Sequence, residues 1–186
     1  MSQPIERESM EVDVLFVGAG PATLASALRL MQGVEEHNAR AEREGGVPLE
    51  PPTVLVIEKS AEVGDHMLSG AVMNPKAIRE LLPGHEDEGF PIEHVVTRSV
   101  LRFFTKKYSL AAPSFATPPQ FYKNGYYVTS LNRVAKWLAE RCEAAGVEIY
   151  PGFAGDKLLY QGDRVVGVRT GDMGIDRHGQ PKPTFQ

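Results

Sequence analysis

The residues that most clearly suggest chemistry form a short glycine motif near the start of the chain, Gly18-Ala19-Gly20-Pro21-Ala22-Thr23. Gly18 permits a tight turn, and Gly20 allows the backbone to approach a diphosphate closely. A helix that begins at Pro21 would present free N–H groups and the positive end of its dipole to phosphate oxygens. Thr23 stands where this fingerprint favours a third glycine or alanine, so we expect the helix to lie slightly away from the preceding strand. The motif predicts dinucleotide binding.

A carboxylate at the end of the next predicted strand is the second candidate. Glu58 occupies the place where dinucleotide-binding proteins put an acid that accepts hydrogen bonds from a ribose. It comes 40 residues after Gly18 instead of the usual interval of about 20, and the polar segment 33–52 accounts for the excess. A carboxylate here would repel the 2'-phosphate of NADP, which favours an unmodified ribose. An ordinary strand-to-helix turn and a merely solvated Glu58 are the open alternatives.

Apolar runs before and after the motif predict the elements that position it. Residues 12–17 have almost no polar breaks, which is typical of a strand covered on both faces in a parallel sheet. Leu24, Leu28 and Met31 would share one face of the helix that follows. Residues 53–57 form the second apolar run, so strand, helix and strand make a βαβ unit. The sequence therefore predicts an α/β fold with a parallel sheet.

Beyond this unit the pattern of elements changes. The charges, glycines and prolines of segment 33–52 predict a surface excursion, with a helical extension that ends at Gly45 and Gly46 as the alternative. The next predicted elements are a helix capped by Asn74 with Pro75 as its first residue, and an antiparallel layer around a Pro-rich stretch at 98–129. A helix at 131–145 follows. The last predicted elements are a strand at 147–150 and a hairpin formed by 157–160 and 164–170.

Composition excludes several classes of function. The net charge is -4 and no run of Lys or Arg occurs, which argues against sequence-independent binding of nucleic acid. The single cysteine cannot form an internal disulfide. No apolar stretch reaches the roughly 20 residues that span a bilayer, and acids precede the first strand where a signal peptide or import leader needs positive charge. The histidine spacing predicts no metal site.

The loop after Glu58 carries a resemblance to a known family. The segment EKSAEVGDHMLSGAV could follow an extended cofactor past its diphosphate. With NGYYVTSLNRVAKWLAERCEAAGVEIYPGFAGDKLLY and VVGVRTGDMGIDRHGQPKPTF, it resembles the glutathione-reductase-like FAD flavoproteins and, more narrowly, the electron-transfer flavoprotein:ubiquinone oxidoreductase family. The likeness runs from about Asp13 to the last residue. It implies a Rossmann-like FAD domain of the glutathione-reductase type, interrupted by a small β-rich inserted layer.

The resemblance also implies roles for individual residues, and no catalytic side chain is among them. FAD is the implied cofactor, and its contacts fall into four groups. These are the pyrophosphate (Gly18, Gly20, Pro21, Ala22), the adenosine ribose (Glu58, with Lys59 beside it), the approach to the isoalloxazine (Gly64, His66, Ser69, Gly70, Ala71), and the adenine and returning strand (Ala154, Thr170, Gly171). Family members extend further and hold a four-iron four-sulfur cluster on four cysteines, so we expect the chain to continue past Gln186.

The implied function is transfer of electrons from reduced electron-transfer flavoprotein to ubiquinone at a membrane surface. Two alternatives stay open, a flavin-dependent reductase or monooxygenase of lipid-like substrates related to geranylgeranyl reductases, and a non-catalytic adenine-nucleotide module. We expect an FAD-binding part at 1–97, a β-rich insert at 98–129 and a return to the FAD domain at 130–186. Within the insert, Leu110, Phe115 and Phe121 are predicted to face the quinone and a membrane. The expected location is peripheral, on the inner face of the bacterial cell membrane or on the mitochondrial inner membrane.

Overall fold

The computed structural model describes residues 8–113, 115 and 117–172. The segment GDMGIDRHGQPKPTF, which contributes to the family resemblance, lies outside the described residues from 173 onward. In chain order, the elements are β1 (Val14–Val17), α1 (Pro21–Glu44), β2 (Val54–Glu58), β3 (Ala71–Met73), α2 (Lys76–Leu81), β4 (His94–Val95), β5 (Arg102–Phe104), β6 (Ser109–Ala111), a 3₁₀ turn (Pro119–Phe121), β7 (Tyr127–Thr129), α3 (Leu131–Ala144), β8 (Glu148–Pro151), β9 (Gly155–Gln161) and β10 (Arg164–Thr170).

The described chain forms two compact units. The first takes the residues up to Asp65 and those from Leu138 onward, and the second is His66–Trp137. Both boundaries predicted from sequence, after residues 97 and 129, fall inside the second unit. The physical reason is strand pairing, because β3 and β4 both pair with β7 and therefore belong to the same sheet.

A parallel sheet is the centre of the first unit. Its strand order is β1-β2-β8, so β2 lies between two neighbours. Val14 pairs with Val54, and Leu55 pairs with Glu148. The central strand is buried from Val54 to Ile57, which explains why its sequence is an unbroken apolar run. The predicted βαβ unit and parallel sheet are confirmed.

The polar segment 33–52 consists of a helical part and a non-helical part. Its first part continues α1 to Glu44, and Gly45 ends the helix with φ 71° while its N–H donates to the carbonyl of Ala41. Its second part is held along the helix by Asn38, whose amide donates to the Leu49 carbonyl at 2.9 Å and accepts from the Leu49 N–H at 2.7 Å. The helical alternative is therefore right up to Gly45.

Two small antiparallel sheets build the second unit. One has the strand order β3-β7-β4 and the other is the β5–β6 hairpin. The antiparallel layer predicted at 98–129 thus consists of two separate sheets, with Arg102–Phe104 in one and Tyr127–Thr129 in the other. The second helix begins at Lys76, one residue later than predicted, and the Asn74 side chain accepts from the Lys76 N–H at 3.0 Å.

Aromatic rings pack against one another inside the second unit. The ring centroids of Phe90 and Trp137 lie 5.1 Å apart, and those of His85 and Phe90 lie 5.2 Å apart, both edge to face. Tyr127 is 1% exposed, and its hydroxyl accepts from Arg79 at 2.9 Å and donates to Glu86. A buried tyrosine whose hydroxyl is hydrogen-bonded is typical of a well-packed core.

Candidate functional site

The glycine motif forms the turn that its sequence predicts. Gly18 has φ 96°, a conformation that side chains rarely adopt, and its N–H donates to the Ile57 carbonyl at 2.7 Å. Gly20 is the N-cap of α1 and is extended, with φ -76° and ψ 161°. The N–H groups of a helix's first turn have no intrahelical partner. Since Pro21 has none to offer, those of Ala22 and Thr23 are the donors at this helix start.

Space for a ligand lies next to these donors. A Cβ atom built on Gly20 would meet no atom within 4 Å, and the same holds at Gly18. Packing within the protein therefore does not require glycine at position 20. A ligand that approaches the backbone closely would require it, as the dinucleotide fingerprint implies. The helix start fits a diphosphate group.

The Glu58 carboxylate is held between the glycine motif and its own strand end. Its Oε2 accepts from the Ala19 N–H at 2.7 Å. Its Oε1 accepts from the backbone N–H of Ser60 at 3.0 Å and from the Ser60 hydroxyl at 2.8 Å. The acid is therefore oriented by three donors and lies directly beside the predicted phosphate site.

A small cavity joins Glu58 to the loop that follows β8. Its volume is about 180 Å³, and it is lined by Val17, Gly18, Ile57, Glu58, Lys59, Phe153, Ala154 and Gly155. Drug-sized ligands usually occupy pockets of about 300–1,000 Å³. The cavity therefore suits one portion of an extended ligand, and its polar lining at Glu58 suits a sugar.

The far wall of this cavity is built by the start of β9. A Cβ on Gly155 would lie 3.1 Å from Val17 Cγ1 and 3.3 Å from Val168 Cγ1, closer than most Cβ contacts in proteins, so the two valines would have to shift to accommodate a side chain there. Thr170 pairs with Gly155, and the Gly171 N–H donates to the Ala154 carbonyl at 2.8 Å. The structure thus brings Ala154, Thr170 and Gly171 together, and their contact with FAD stays a prediction.

Sequence reasoning missed four of the lining residues, Val17, Ile57, Phe153 and Gly155. Val17 and Phe153 are 56% and 42% exposed although both are large and apolar, and Gly155 packs tightly as described above. The nearest signal in the sequence was the prediction for Ala154, which lies between Phe153 and Gly155. A partly exposed aromatic ring in a cavity wall could contact an adenine face.

The residues predicted to approach the flavin divide between the two units. Gly64 is a buried residue of the first unit with φ 94°. His66, Ser69 and Gly70 are exposed residues of the second unit. Ala71, the first residue of β3, also lies in the second unit. Their contact with a flavin stays a prediction.

The described part of the chain contains neither a metal-binding cluster nor a reactive thiol. No group of three or more His, Cys, Asp or Glu residues within residues 8–113, 115 and 117–172 could hold a metal ion. Cys142 is buried, and its thiol donates to the Leu24 carbonyl at 3.2 Å. Burial raises the pKa of this thiol to about 11, so it is unsuited to nucleophilic or redox chemistry.

A larger cavity lies elsewhere in the first unit. It has a volume of about 840 Å³ and is lined mainly by the second half of α1, residues 46–51 and the end of α3. None of the predicted site residues lines it. Its walls include Glu35 and Glu42, which would repel a phosphate, so this cavity suits a nucleotide poorly.

An apolar surface lies on the second unit. Phe115 is 91% exposed and Leu110 is 72% exposed. Phe121 is exposed to a smaller extent. In the β5–β6 hairpin, Phe103 pairs with Leu110, so both apolar side chains project from the same face. Among the described residues, no helix is both long enough and apolar enough to cross a bilayer.

Comparison with known proteins gives a consistent family of relatives, although no protein-family model matches the chain. The chain is 43% identical over 183 residues to a probable electron transfer flavoprotein-ubiquinone oxidoreductase of Acinetobacter baylyi, covering 97% of this chain and 30% of that protein. It is 42% identical over 183 residues to the Pseudomonas aeruginosa enzyme, covering 97% and 31%. The mitochondrial enzyme of Arabidopsis thaliana is 42% identical over 187 residues, covering 100% and 27%.

Solved structures share the fold at low sequence identity. A geranylgeranyl bacteriochlorophyll reductase-like protein from Thermoplasma acidophilum matches with a TM-score of 0.54 and 18% identity over 86% of this chain and 34% of that one. The myxobacterial chondrochloren halogenase, described as a variant of FAD-dependent halogenases, matches with a TM-score of 0.52 and 19% identity over 91% and 34%. The chain spans about 30% of the length of the curated relatives it matches. Over nearly its whole length, the chain is a homologue of part of the electron transfer flavoprotein-ubiquinone oxidoreductases.

Proposed function

We propose that this chain binds the adenosine diphosphate portion of FAD in an oxidoreductase that passes electrons from reduced electron-transfer flavoprotein to ubiquinone. The observation that carries the proposal is the position of Glu58, 2.7 Å from the Ala19 N–H within the glycine motif. A sugar at Glu58 and a diphosphate at the start of α1 are separated by one short loop. The names of the relatives supply the electron donor and acceptor.

Different residues would hold different parts of the cofactor. The amides of Ala22 and Thr23 would face the diphosphate, with Gly20 leaving room for it. Glu58 would accept from the ribose, and Ala154 would meet the adenine. When bound, FAD supplies both single-electron and two-electron transfer. Lys59, Gly64, His66, Ser69, Gly70 and Ala71 would then lie along the path towards the flavin ring.

Titration of flavin fluorescence tests this assignment. We expect Glu58→Ala to weaken FAD binding about 10- to 100-fold, because hydrogen bonds to a charged group contribute about 1.5–3 kcal/mol. Glu58→Gln keeps the shape of the side chain and should weaken binding less. Glu50→Ala, an exposed acid in the segment after α1, is the matched control. Equal FAD affinity in wild type and both Glu58 variants would refute the assignment.

The absorption spectrum of the purified full-length protein discriminates between the candidate functions. Flavin and iron-sulfur bands together would support the oxidoreductase. The chain has one cysteine, so at least three of the four thiolates of a four-iron four-sulfur cluster would have to lie outside it. Flavin bands alone would favour a reductase or monooxygenase of lipid-like substrates, and the absence of both would favour a non-catalytic nucleotide module.

We propose further that the second unit contacts a membrane, which gives the protein a peripheral location on the inner face of the bacterial membrane or on the mitochondrial inner membrane. The support is the apolar face of the β5–β6 hairpin with Phe115 and Phe121 near it in sequence. Ubiquinone is itself a lipid-soluble substrate, so an apolar surface suits its entry.

Flotation with lipid vesicles tests the membrane contact. Phe103→Asp should reduce the bound fraction several-fold, because a charge in the apolar face resists transfer into lipid. Tyr160→Asp is the matched control, since Tyr160 is 60% exposed on β9 and Phe103 is 61% exposed. Equal flotation of both variants and the wild type would contradict the proposal.

A further inference from the structure

We infer that Ser60 is a positioning residue of the nucleotide site, because it orients the Glu58 carboxylate and links it to the opposite wall of the small cavity. The inference rests on the proposed function, since it deepens the role given to Glu58. Ser60 does not line the cavity itself. It would act on the ribose through Glu58.

Ser60 donates two hydrogen bonds to the Glu58 carboxylate. Its backbone N–H and its hydroxyl both donate to the same oxygen, Oε1, at 3.0 Å and 2.8 Å. Ser60 is 6% exposed, so water competes little for these bonds. The other oxygen is held by Ala19 at 2.7 Å. With a donor at each end, the carboxylate cannot turn about its terminal bond without losing hydrogen bonds.

The link to the opposite wall is a main-chain bond. The Ser60 carbonyl accepts from the Gly152 N–H at 2.8 Å. The pairing of β2 with β8 ends at Glu58 and Pro151, so this bond extends the connection beyond the sheet. Gly152 has φ 86° and directs the chain into Phe153, Ala154 and Gly155, which line the cavity. Ser60 therefore contacts both sides of the site.

Positioning matters here because a ribose needs acceptors in fixed places. A carboxylate on a free side chain would lose rotational freedom when it binds a hydroxyl, and that loss weakens binding. Donors that hold the carboxylate beforehand remove part of the loss, as supporting contacts do in binding sites generally. The backbone bonds of Ser60 survive replacement of its side chain, so the hydroxyl can be tested alone.

Calorimetry with ADP and 2',3'-dideoxy-ADP tests the inference on the purified protein freed of nucleotide. We expect Ser60→Ala to weaken ADP binding about 3- to 10-fold, which corresponds to one net hydrogen bond, and to leave dideoxy-ADP binding unchanged. Ser60→Thr keeps a hydroxyl and should restore the preference for ADP. Ser26→Ala is the control, because the Ser26 hydroxyl donates to the Ala22 carbonyl on the exposed surface of α1. Partial unfolding of a variant would lower its apparent affinity for ADP and for dideoxy-ADP by the same factor. The ratio of the two affinities therefore does not depend on the folded fraction.

A double-mutant comparison separates positioning from general stabilisation. In a Glu58→Ala background, Ser60→Ala should cause no further loss of ADP affinity, since nothing remains to be oriented. Unchanged ADP affinity in Ser60→Ala alone would overturn the inference and leave the proposed function standing. An equal loss for both ligands would also overturn it. Failure of the wild type to bind ADP at all would overturn the proposed function and the inference with it.

Discussion

Glu58 connects two loops through its own hydrogen bonds. One oxygen accepts from Ala19 in the glycine motif, and the other accepts from Ser60 after β2. A side chain that stabilises the protein and also contacts a ligand complicates mutagenesis, because its loss affects both. Glycine substitutions separate the two effects better, since Gly20 lies in open space and Gly155 lies in close contact with its neighbours.

The Gly20→Ala substitution should affect the ligand alone. The added Cβ meets no protein atom within 4 Å. Alanine restricts the unfolded chain, which stabilises the fold by about 0.4–1 kcal/mol, but it is a poorer N-cap of α1 than glycine, so we expect little net change in the free energy of unfolding. The same Cβ would enter the space of a bound diphosphate, so ADP affinity should fall about 10-fold or more. Denaturant titration and calorimetry measure the two quantities. A large loss of stability with unchanged affinity would contradict this account.

The Gly155→Ala substitution should have the opposite effect to Gly20→Ala, because it should lower the stability of the protein. Its Cβ would lie 3.1 Å from Val17 Cγ1, which forces either a strand or a side chain to move. We expect the free energy of unfolding to fall by about 1 kcal/mol, at the lower end of the range for overpacking because Val17 is partly exposed. Denaturant titration checks this value, and a stability equal to that of Gly20→Ala would contradict the packing described for β9.

Cys142 should resist thiol reagents in the folded protein. Its pKa is raised to about 11 by burial, against about 8.5 for an ordinary cysteine. At pH 8 the thiolate fraction is then lower by about two orders of magnitude, so labelling should be at least that much slower than in denaturant. Ellman's reagent measures both rates. Rapid labelling of the native protein would contradict the burial of this side chain against α1.

At the scale of elements, the β9–β10 hairpin carries an ion pair that depends on pH. The Arg169 guanidinium donates a hydrogen bond to the Asp156 carboxylate and lowers the pKa of that acid. A lowered pKa contributes stability that is fully present above the unfolded value, about 3.9, and is lost as the pH falls through the folded value. The contribution therefore disappears in acid and not in base.

Asp156→Asn should flatten the acid side of the stability profile. We expect wild type and variant to differ in melting temperature at pH 7 and to converge only as the pH falls through the lowered pKa of Asp156, below the unfolded value of about 3.9, where the wild type also loses the carboxylate. The control is Asp163→Asn, in the turn of the same hairpin. It leaves the Arg169–Asp156 ion pair in place, so its melting temperature should follow the same pH profile as that of the wild type. A constant difference between Asp156→Asn and wild type across pH would show that the ion pair is not responsible.

Most elements of the first unit could be predicted from sequence because local signals agreed with their environment. The apolar run at 53–57 predicted a central strand, and Gly162 between two runs predicted the hairpin turn, where its φ is 61°. The pairing of β5 with β6 was not predicted, because three-residue strands leave little periodicity to detect. The role of Ser60 was also missed, since a buried polar contact depends on which loops meet in the folded chain.

At the scale of the whole molecule, the two units carry different parts of the proposed function. The first holds the glycine motif, Glu58 and the small cavity, and the second holds the apolar hairpin and the residues from His66 to Ala71. The chain spans about 30% of the length of its relatives. Binding of ADP therefore tests the described site more directly than activity of the complete electron-transfer reaction.

The most direct measurement is a crystal structure of the protein with ADP bound. We predict phosphate oxygens within hydrogen-bond distance of the Ala22 and Thr23 amides, and ribose hydroxyls at the Glu58 carboxylate. The adenine should lie beside Phe153 and Ala154. A structure in which ADP occupies the larger cavity along α1, or in which its phosphates lie away from the start of that helix, would contradict the central claim.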